Sequence, residues 1–283
     1  MSDDASPPRA RSSAKQRLLE RGLRPRKSLG QNFLADEGLA ARIAELTAFD
    51  VPAHVLEIGA GLGALTAPLL ERGQRVTAIE TDRQLVPLLR ERFEAELASS
   101  QLQVIEGDAR ELDYAGLLTP LSPPRVLAGN LPYHLSGLLL RHAVDHSPRI
   151  ERCVFLLQLE VVDRLCAAPG SDDYGALSVF AQAVYEPRRS FVIKRGAFYP
   201  QPGVDSAVVV LEPNAAAHEP LSERFSELVR RAFGQRRKTL RNAWHGVASE
   251  LEERAARAGI DLGARGETLG VAEFRRMAAE LER

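Results

Sequence analysis

The sequence predicts an α/β protein with a mostly parallel, seven-stranded sheet, followed by a small all-helical part at the C-terminus. Short apolar runs alternate with helical segments up to about residue 211, and Arg, Glu, Ala and Leu at helical spacing fill the chain after residue 220. This alternation is typical of a parallel sheet that helices cover on both faces. The 283 residues are enough for one large core and a smaller second part.

The predicted strands are short apolar runs that turn signals or helical segments separate. We expect them at residues 55–58, 75–80, 102–105, 126–128, 153–158, 190–193 and 207–211. Helices are expected at 65–72, 85–97 and 138–144. The last two strands have no good helical pattern between them, which favours a hairpin that closes one side of the sheet.

Composition divides the chain into four parts. Residues 1–25 are rich in Ser, Pro and Arg, and we predict a basic, mostly disordered tail with a short helix near 14–20. Residues 26–212 form the predicted α/β domain, 213–220 a linker and 221–283 a helical domain.

The overall composition is that of an ordinary globular protein, with 45% hydrophobic and 27% charged residues and a net charge of −1. No apolar run approaches the ~20 residues of a membrane span, and the first residues lack the pattern of a secretory signal. The two cysteines, Cys153 and Cys166, have neither metal nor redox spacing. We therefore expect a cytoplasmic protein without a membrane anchor or a metal site.

Positive charge is concentrated in two segments. Residues 9–27 carry eight Arg or Lys against one acid, and residues 230–241 carry six and no acid. Such runs are typical of surfaces that contact phosphate backbones. A solvated tail and a solvated helix face remain the alternative for either segment taken alone.

Polar residues end several successive strands of the predicted sheet. Gly59 and Gly61 follow the first strand, in a turn where glycine permits close approach of the backbone to a ligand. Glu80 ends the second strand, where it can accept hydrogen bonds from ribose hydroxyls, and Asp108 and Asn130 follow at the ends of the third and fourth. The set predicts a nucleoside-type cofactor. The absence of a phosphate-binding Lys excludes a P-loop and favours a cationic cofactor, S-adenosylmethionine.

The segment from Asn130 to Tyr133 has the features of a clamp for an aromatic amine. The Asn130 amide oxygen and the Leu131 carbonyl are two acceptors for the two hydrogens of an exocyclic base amine. Pro132 stiffens the turn, and Tyr133 offers a flat face on which a base can stack. Taken alone, the segment is equally compatible with an ordinary turn that buries an Asn.

From about Lys27 to its C-terminus, the chain resembles the small-subunit (16S) ribosomal RNA adenine N(6),N(6)-dimethyltransferases of the KsgA type. Several motifs in the family's order carry the resemblance: KSLGQNFL at 27–34, EIGAGLG at 57–63, GNLPY at 129–133, LQLEVVDRL at 157–165, YGALSV at 174–179, FYPQPGVDS at 198–206 and FGQRRK at 233–238. The resemblance implies a Rossmann-like class I S-adenosylmethionine-dependent methyltransferase. Residues 26–212 then correspond to the catalytic domain and 221–283 to an RNA-recognition domain.

The resemblance also assigns roles to individual residues. It implies that Asn32 and Leu34 line the cofactor site, that Gly59 contacts the methionine end, that Glu80 holds the ribose, that Asp108 contacts the cofactor adenine and that Asn130 faces both cofactor and target. Phe198 is expected to stack on the target adenine opposite Tyr133, and Arg236, Arg237, Lys238 and Arg241 to contact RNA phosphates. The implied substrate is a pair of adjacent adenines near the 3′ end of 16S rRNA within an immature 30S subunit, and we expect a monomer.

Other functions compete with this interpretation. A 23S rRNA adenine methylase of the macrolide-resistance type shares the motifs, although the 235–238 segment and the long C-terminal part favour the small-subunit enzyme. A non-catalytic RNA-binding assembly factor would not need the intact glycine loop and amine clamp. A DNA adenine methylase lacks support because no target-recognition insert is present, and a dehydrogenase would leave the clamp without a role.

Overall fold

The computed structural model describes residues 14–132, 136–217, 220–235 and 237–283, and within them nine strands form two sheets. The strands are β1 (Phe33–Leu34), β2 (His54–Ile58), β3 (Arg75–Glu80), β4 (Leu102–Glu106), β5 (Arg125–Asn130), β6 (Arg152–Gln158), β7 (Tyr185–Ile193), β8 (Phe198–Tyr199) and β9 (Ser206–Pro213). The large sheet has seven strands in the order β4-β3-β2-β5-β6-β9-β7, and β1 pairs with β8 in a separate small sheet.

The α-helices of the described residues alternate with these strands and then follow them. They are α1 (Ala14–Glu20), α2 (Glu37–Glu45), α3 (Thr66–Glu71), α4 (Val86–Arg92), α5 (Glu94–Ala98), α6 (Tyr114–Leu118), α7 (Ser136–Asp145), α8 (Leu159–Cys166), α9 (Ala176–Gln182), α10 (Glu223–Gly234), α11 (Leu240–Ala243), α12 (Leu251–Ala258) and α13 (Val271–Glu282). Among the described helices, none combines the length and the apolarity that a membrane crossing requires.

The large sheet confirms the predicted fold class. Strands β2 to β6 run parallel to one another, whereas β9 is antiparallel to both β6 and β7. The central strands are buried along most of their length, because helices cover both faces of the sheet. All seven predicted strands are present, and the predicted hairpin of β7 and β9 closes one side of the sheet. The position of this hairpin in the strand order was not predicted. Its second strand, β9, lies between β6 and β7.

The structure differs from the sequence prediction in one helix and in part of the N-terminal tail. The helix expected at 85–97 is divided into α4 and α5, because Phe93 leaves the helical conformation (φ −119°, ψ 37°) and buries its ring in the core. The short helix expected near 14–20 is confirmed as α1, but residues 14–25 are not a disordered tail. Leu18 of α1 is 2% exposed and packs with Phe33, Leu62 and Leu85, so apolar contacts hold this segment on the domain. Residues 1–13 of the predicted tail lie outside the described residues.

The C-terminal helices, α10 to α13, pack directly against the α/β part. One hydrophobic cluster includes both Phe155 of β6 and Phe274 of α13. Hydrogen bonds cross the same boundary, from the Tyr174 hydroxyl to the Leu269 carbonyl (3.0 Å) and from the Arg275 guanidinium to the Ala183 carbonyl (2.9 Å). The helical part therefore shares its core with the sheet.

Candidate cofactor and target site

A cavity opens at the carboxyl ends of β2, β3 and β5, where the sequence predicted a ligand site. Its walls are Leu29, Gly30, Gln31, Asn32, Phe33, Leu34, Ile43, Glu57, Gly59, Ala60, Gly61, Leu62, Ala64, Leu65, Glu80, Thr81, Asn130, Leu131, Pro132 and Leu156. Two of the side chains are carboxylates, and no Lys, Arg or His of the described chain lines this cavity. Apolar walls with acidic groups suit a ligand that has an apolar body and a positive charge.

The glycine loop after β2 brings backbone N–H groups to the cavity. Gly59 and Gly61 have positive φ values of 73° and 58°, a conformation that glycine adopts without strain. This geometry directs the Gly61 N–H toward the Glu80 carboxylate, at 2.7 Å from Oε2. On the far side of the loop, the Arg92 guanidinium donates to the carbonyls of Leu62 (2.5 Å) and Gly63 (3.0 Å). The loop is thus held from both sides.

Glu80 ends β3 with its carboxylate held by backbone donors. Oε2 accepts from the Gly61 N–H, and Oε1 accepts from the Asp82 N–H at 2.8 Å. A carboxylate has about four acceptor sites, so these bonds leave acceptor capacity for a ligand hydroxyl. Burial raises the pKa of Glu80, and the backbone N–H groups of Asp82, Gly61 and Thr81 oppose that shift because they stabilise the ionised form.

Asn130 ends β5 with a fixed orientation. Its Nδ2 donates to the Asn32 carbonyl at 2.8 Å, which ties the amide nitrogen to the segment before β1 and leaves Oδ1 as the group that can accept a new hydrogen bond. The next residue, Leu131, is anchored by its N–H to the Leu156 carbonyl at 3.2 Å. Both residues line the cavity.

Gly129 allows β5 to approach β2 at this point. A Cβ atom on Gly129 would lie 2.3 Å from the carbonyl oxygen of Ile58, which is a backbone atom and cannot move aside alone. The absence of a side chain therefore sets the distance between the glycine loop and Asn130.

The small sheet of β1 and β8 joins two motifs that are far apart in the chain. Leu34 pairs with Phe198 and Phe33 with Tyr199. Leu34 and Asn32 line the cavity, whereas Phe198 is 5% exposed, packs in the same hydrophobic cluster as Leu34 and does not line it. Tyr133 lies outside the described residues, so the expected aromatic pair stays a prediction.

Asp108 follows β4, outside the ring of residues that lines the cavity. The Arg110 side chain binds its carboxylate, with Nε 3.0 Å from each oxygen and Nη2 2.5 Å from Oδ2. A ligand amine at Asp108 would therefore share the carboxylate with this guanidinium.

Of the predicted RNA-binding residues, Arg237 and Lys238 lie between α10 and α11, and Arg241 lies in α11. Arg237 and Lys238 are exposed, and Arg236 lies outside the described residues. Arg241 forms an ion pair with Glu252 at 2.5 Å, in which both side chains are more than half exposed. The charge of Arg241 is thus partly compensated.

Three polar groups received no role from the sequence: Glu57 and Gln31, which line the cavity, and Asp82, which follows Thr81 of the cavity wall. Glu57 was visible as the acid that opens the glycine motif, and Thr66 Oγ1 donates to its Oε2 at 2.6 Å. Gln31 lies within the opening motif. Asp82 lies a few residues before α4, and its partners Arg26 and Gln31 are more than 50 residues away in sequence, so no local signal reveals them.

Glu57 makes stability depend on pH. Burial raises its pKa from 4.5 to about 7, and the nearby Glu80 charge adds to this shift, while the Thr66 hydrogen bond and Arg92 oppose it. The folded protein then binds this proton more tightly than the unfolded chain, so the free energy of unfolding falls as pH rises from 4.5 to about 7 and is level above.

We expect Glu57→Gln to remove the decrease in stability between pH 4.5 and about 7, because glutamine keeps an acceptor for Thr66 but has no charge to bury. The stability advantage of the variant, its free energy of unfolding minus that of the wild type, should be larger at pH 8 than at pH 5 by up to ~3 kcal/mol. Urea unfolding at both pH values measures the difference. An equal difference at the two pH values would contradict the assignment.

Comparisons with known proteins agree with the site's chemistry. The family model described as ribosomal RNA adenine dimethylase matches residues 22–283. The chain is 44% identical over 299 aligned residues to a ribosomal RNA small subunit methyltransferase A of Anaeromyxobacter sp. (strain K), covering 100% of this chain and 99% of that protein. It is 45% identical over 255 residues to a protein of the same description from Xanthomonas campestris pv. campestris (strain B100), with 89% and 95% covered.

A solved structure shows the same fold. The crystal structure of a dimethyladenosine transferase from Plasmodium falciparum superposes with a TM-score of 0.72 at 22% sequence identity, covering 87% of this chain and 95% of that one. At this identity the likeness concerns the arrangement of strands and helices.

Proposed function

The chain belongs to the ribosomal RNA adenine dimethylase family and is an rRNA adenine methyltransferase; from this premise we propose a substrate, a methyl donor and a role for each site residue. The substrate is two adjacent adenines near the 3′ end of 16S rRNA, each converted to N(6),N(6)-dimethyladenosine. The observation that carries the proposal is the meeting of the glycine loop, Glu80 and Asn130 around one cavity.

The donor set of the cavity fits S-adenosylmethionine. When bound, this compound supplies an electrophilic methyl group on a positively charged sulfur. Glu80 accepts hydrogen bonding from the ribose hydroxyls, since its carboxylate keeps acceptor capacity beyond its backbone donors. Gly59 and Gly61 let the backbone approach the methionine end, and Asp108 accepts from the adenine amine. Asn32 and Leu34 form the wall on the β1 side.

Asn130 and Leu131 would orient the target amine. The lone pair of an adenine amino group is delocalised into the ring, which makes the nitrogen a poor nucleophile. Two acceptors outside the ring plane, Asn130 Oδ1 and the Leu131 carbonyl, favour a pyramidal nitrogen with a localised lone pair. The methylated ammonium is acidic and loses its proton to water or a carbonyl, so no general base is needed. Positioning then carries the rate enhancement, worth up to ~7–11 kcal/mol in favourable cases.

The second methylation has one amine hydrogen fewer, so one acceptor suffices and the pocket has to accommodate a methyl group. We assign the holding of the ring to Tyr133 and Phe198. Stacking on aromatic faces tolerates the added methyl because it requires no new polar contact. Phe198 is buried and pairs with Leu34, so the proposal includes a local shift that exposes its face to the base.

Several features support an RNA within a ribosomal particle as the substrate. The target base has to leave its stack at a cost of a few kcal/mol, which phosphate contacts offset. We assign these contacts to Arg236, Arg237, Lys238 and Arg241 in residues 221–283, the proposed RNA-recognition part. The relatives' description as small-subunit enzymes favours an immature 30S subunit over 23S rRNA. The enzyme would act as a monomer in the cytoplasm, where subunits are assembled.

Transfer of tritiated methyl groups to unmethylated particles tests the function. Label should enter 30S particles and be recovered as dimethyladenosine by mass analysis of the nucleosides, while 50S particles and DNA remain unlabelled. Labelling of 50S particles would identify a large-subunit methylase, and RNA binding without any labelling would identify a non-catalytic assembly factor.

The basic segment between α10 and α11 should control the salt dependence of RNA binding. For Arg237→Ala/Lys238→Ala we expect the slope of log K against log salt to become shallower by about 1.4–1.8, since each lost phosphate contact changes it by ~0.7–0.9. Arg241→Ala should change the slope by less than one full phosphate contact does, because Glu252 already compensates the charge of Arg241. Filter binding at several salt concentrations measures the slopes. The matched control is Arg75→Ala/Arg90→Ala, two exposed charges on β3 and α4; equal slopes for both double variants would refute the assignment.

A further inference from the structure

Asp82 is a buried carboxylate beside the proposed cofactor site, and its partners come from the N-terminal end of the chain. The residue is 2% exposed. Arg26 Nη1 lies 3.1 Å from Oδ1, and Gln31 Nε2 donates to Oδ2 at 2.8 Å. A buried carboxylate without such partners would be strongly unfavourable. The contacts with Arg26 and Gln31 therefore stabilise the Asp82 carboxylate and also hold the N-terminal segment that contains these two residues.

We call residues 14–31 the N-terminal strap. Its first part is held by Leu18, which is buried against Phe33, Leu62 and Leu85. Its last part forms a wall of the cavity through Leu29, Gly30 and Gln31. Between these two anchors the strap contacts Asp82 through Arg26, whose backbone N–H also donates to the Gln31 side chain at 2.8 Å. Arg26, Gln31 and Asp82 thus form one hydrogen-bonded group.

Asp82 is linked in turn to the group that would hold the ribose. Its backbone N–H donates to Glu80 Oε1 at 2.8 Å, and Glu80 Oε2 accepts from Gly61 at 2.7 Å. A continuous set of hydrogen bonds therefore runs from the strap through Asp82 and Glu80 to the glycine loop. Arg26 also places a positive charge next to a pair of buried carboxylates, which offsets their mutual repulsion.

We propose that Asp82 is a positioning residue that couples closure of the N-terminal strap over the cavity to binding of the methyl donor at Glu80. The inference rests on the proposed cofactor site. Because coupling between two equilibria is reciprocal, a closed strap raises donor affinity and a bound donor stabilises the closed strap to the same extent. Asp82 and Arg26 act on affinity and leave the transfer step to Asn130 and Leu131.

Calorimetric titration of the full-length protein with S-adenosylmethionine, without RNA, tests the coupling. Asp82→Asn keeps an oxygen that can cap the Gln84 N–H but cannot hold Arg26 and Gln31 in the same way. We expect Asp82→Asn and Arg26→Ala each to weaken binding about tenfold, the effect of losing a charge-assisted hydrogen bond. The double variant should be no weaker than the weaker single variant, because both remove the same link. Arg24→Ala, an exposed charge on the strap, should bind like the wild type.

Two further readouts separate positioning from a general structural role. With 30S particles as acceptor, Asp82→Asn should raise KM for the donor and leave kcat at saturating donor unchanged. In hydrogen exchange, S-adenosylhomocysteine should slow the amides of residues 14–31 in the wild type and have little effect on them in Asp82→Asn. A purely structural defect would lower kcat and the melting temperature together.

The outcomes distinguish this inference from the proposed function. Wild-type affinity of Asp82→Asn for the donor would overturn the coupling. So would tighter donor binding by Asp82→Asn together with weaker donor binding by Arg26→Ala. This second pattern would mean that the two residues act only through their electrostatic effect on the Glu80 carboxylate. If Glu80→Ala also bound the donor like the wild type, the cofactor site itself would be refuted.

Discussion

Replacing Asn130 with alanine is expected to lower the rate of methyl transfer about 10²- to 10³-fold, the size of effect seen when one preorganised polar group at a reacting centre is removed. Asn130 Oδ1 is the acceptor that the geometry presents, because Nδ2 is occupied by the Asn32 carbonyl at 2.8 Å. Alanine removes the acceptor without filling the cavity. The affinity for S-adenosylmethionine should change much less, since Glu80 and the glycine loop remain in place. Single-turnover transfer to 30S particles and calorimetric donor binding measure the two quantities.

Asn130→Asp is the matched control for this prediction. Aspartate keeps an oxygen acceptor for the amine but cannot donate to Asn32, so it separates the acceptor role from the role of fixing the segment before β1. We expect Asn130→Asp to retain more activity than Asn130→Ala. Near-wild-type transfer by the alanine variant would disprove the role of the amide oxygen, and equal losses in both variants would assign the effect to the lost contact with Asn32.

Replacing Gly129 with alanine should damage both stability and activity. The new Cβ would lie 2.3 Å from the Ile58 carbonyl oxygen and 3.1 Å from a Leu131 methyl group, so β5 has to move away from β2. Overpacking of this kind costs about 1–3 kcal/mol of stability. The same movement displaces Asn130, and a displacement of about 1 Å at a reacting centre can reduce the rate ~10²-fold. Urea unfolding and methyl transfer below the melting temperature measure the two effects.

Gly137 offers the control for this substitution. It lies near the start of α7, on the same segment of chain, and a Cβ there would meet no atom within 4 Å. Alanine at a helical position without steric conflict is neutral or stabilises by up to ~1 kcal/mol. We therefore expect Gly137→Ala to keep activity and stability. If Gly129→Ala behaved in the same way, the close approach of β5 and β2 would not be what positions the amine clamp.

Much of the fold was predictable because its signals are local. Short buried strands read as continuous apolar runs, and the polar residues that end them follow directly in sequence. Glu80 and Asn130 were therefore placed correctly at one edge of the sheet, with the glycine loop beside them. The hairpin of β7 and β9 was predictable for the same reason, although its insertion beside β6 depends on packing that no local pattern encodes.

The contacts that the sequence did not reveal are those between distant segments. The pairing of Leu34 with Phe198 involves two strands of only two residues each, too short to give a periodic pattern. Arg110 was not recognised as a partner of Asp108, because an Arg two residues after an acid is common on surfaces. The order of residues 14–25 was missed since their composition is that of a tail, and only the burial of Leu18 shows what holds them.

The ladder between β1 and β8 also has a consequence for how the enzyme is made. Leu34 is synthesised early, but its partner Phe198 follows only after β2 to β7 have been made. Closing so long a loop costs entropy that the pairing of β2 with β3 does not, and such non-local contacts form late. We therefore expect a nascent chain to possess the glycine loop and Glu80 well before Leu34 is fixed in its ladder with Phe198. Translation has to pass Tyr199 before the ladder that holds the Leu34 wall of the cavity can be complete.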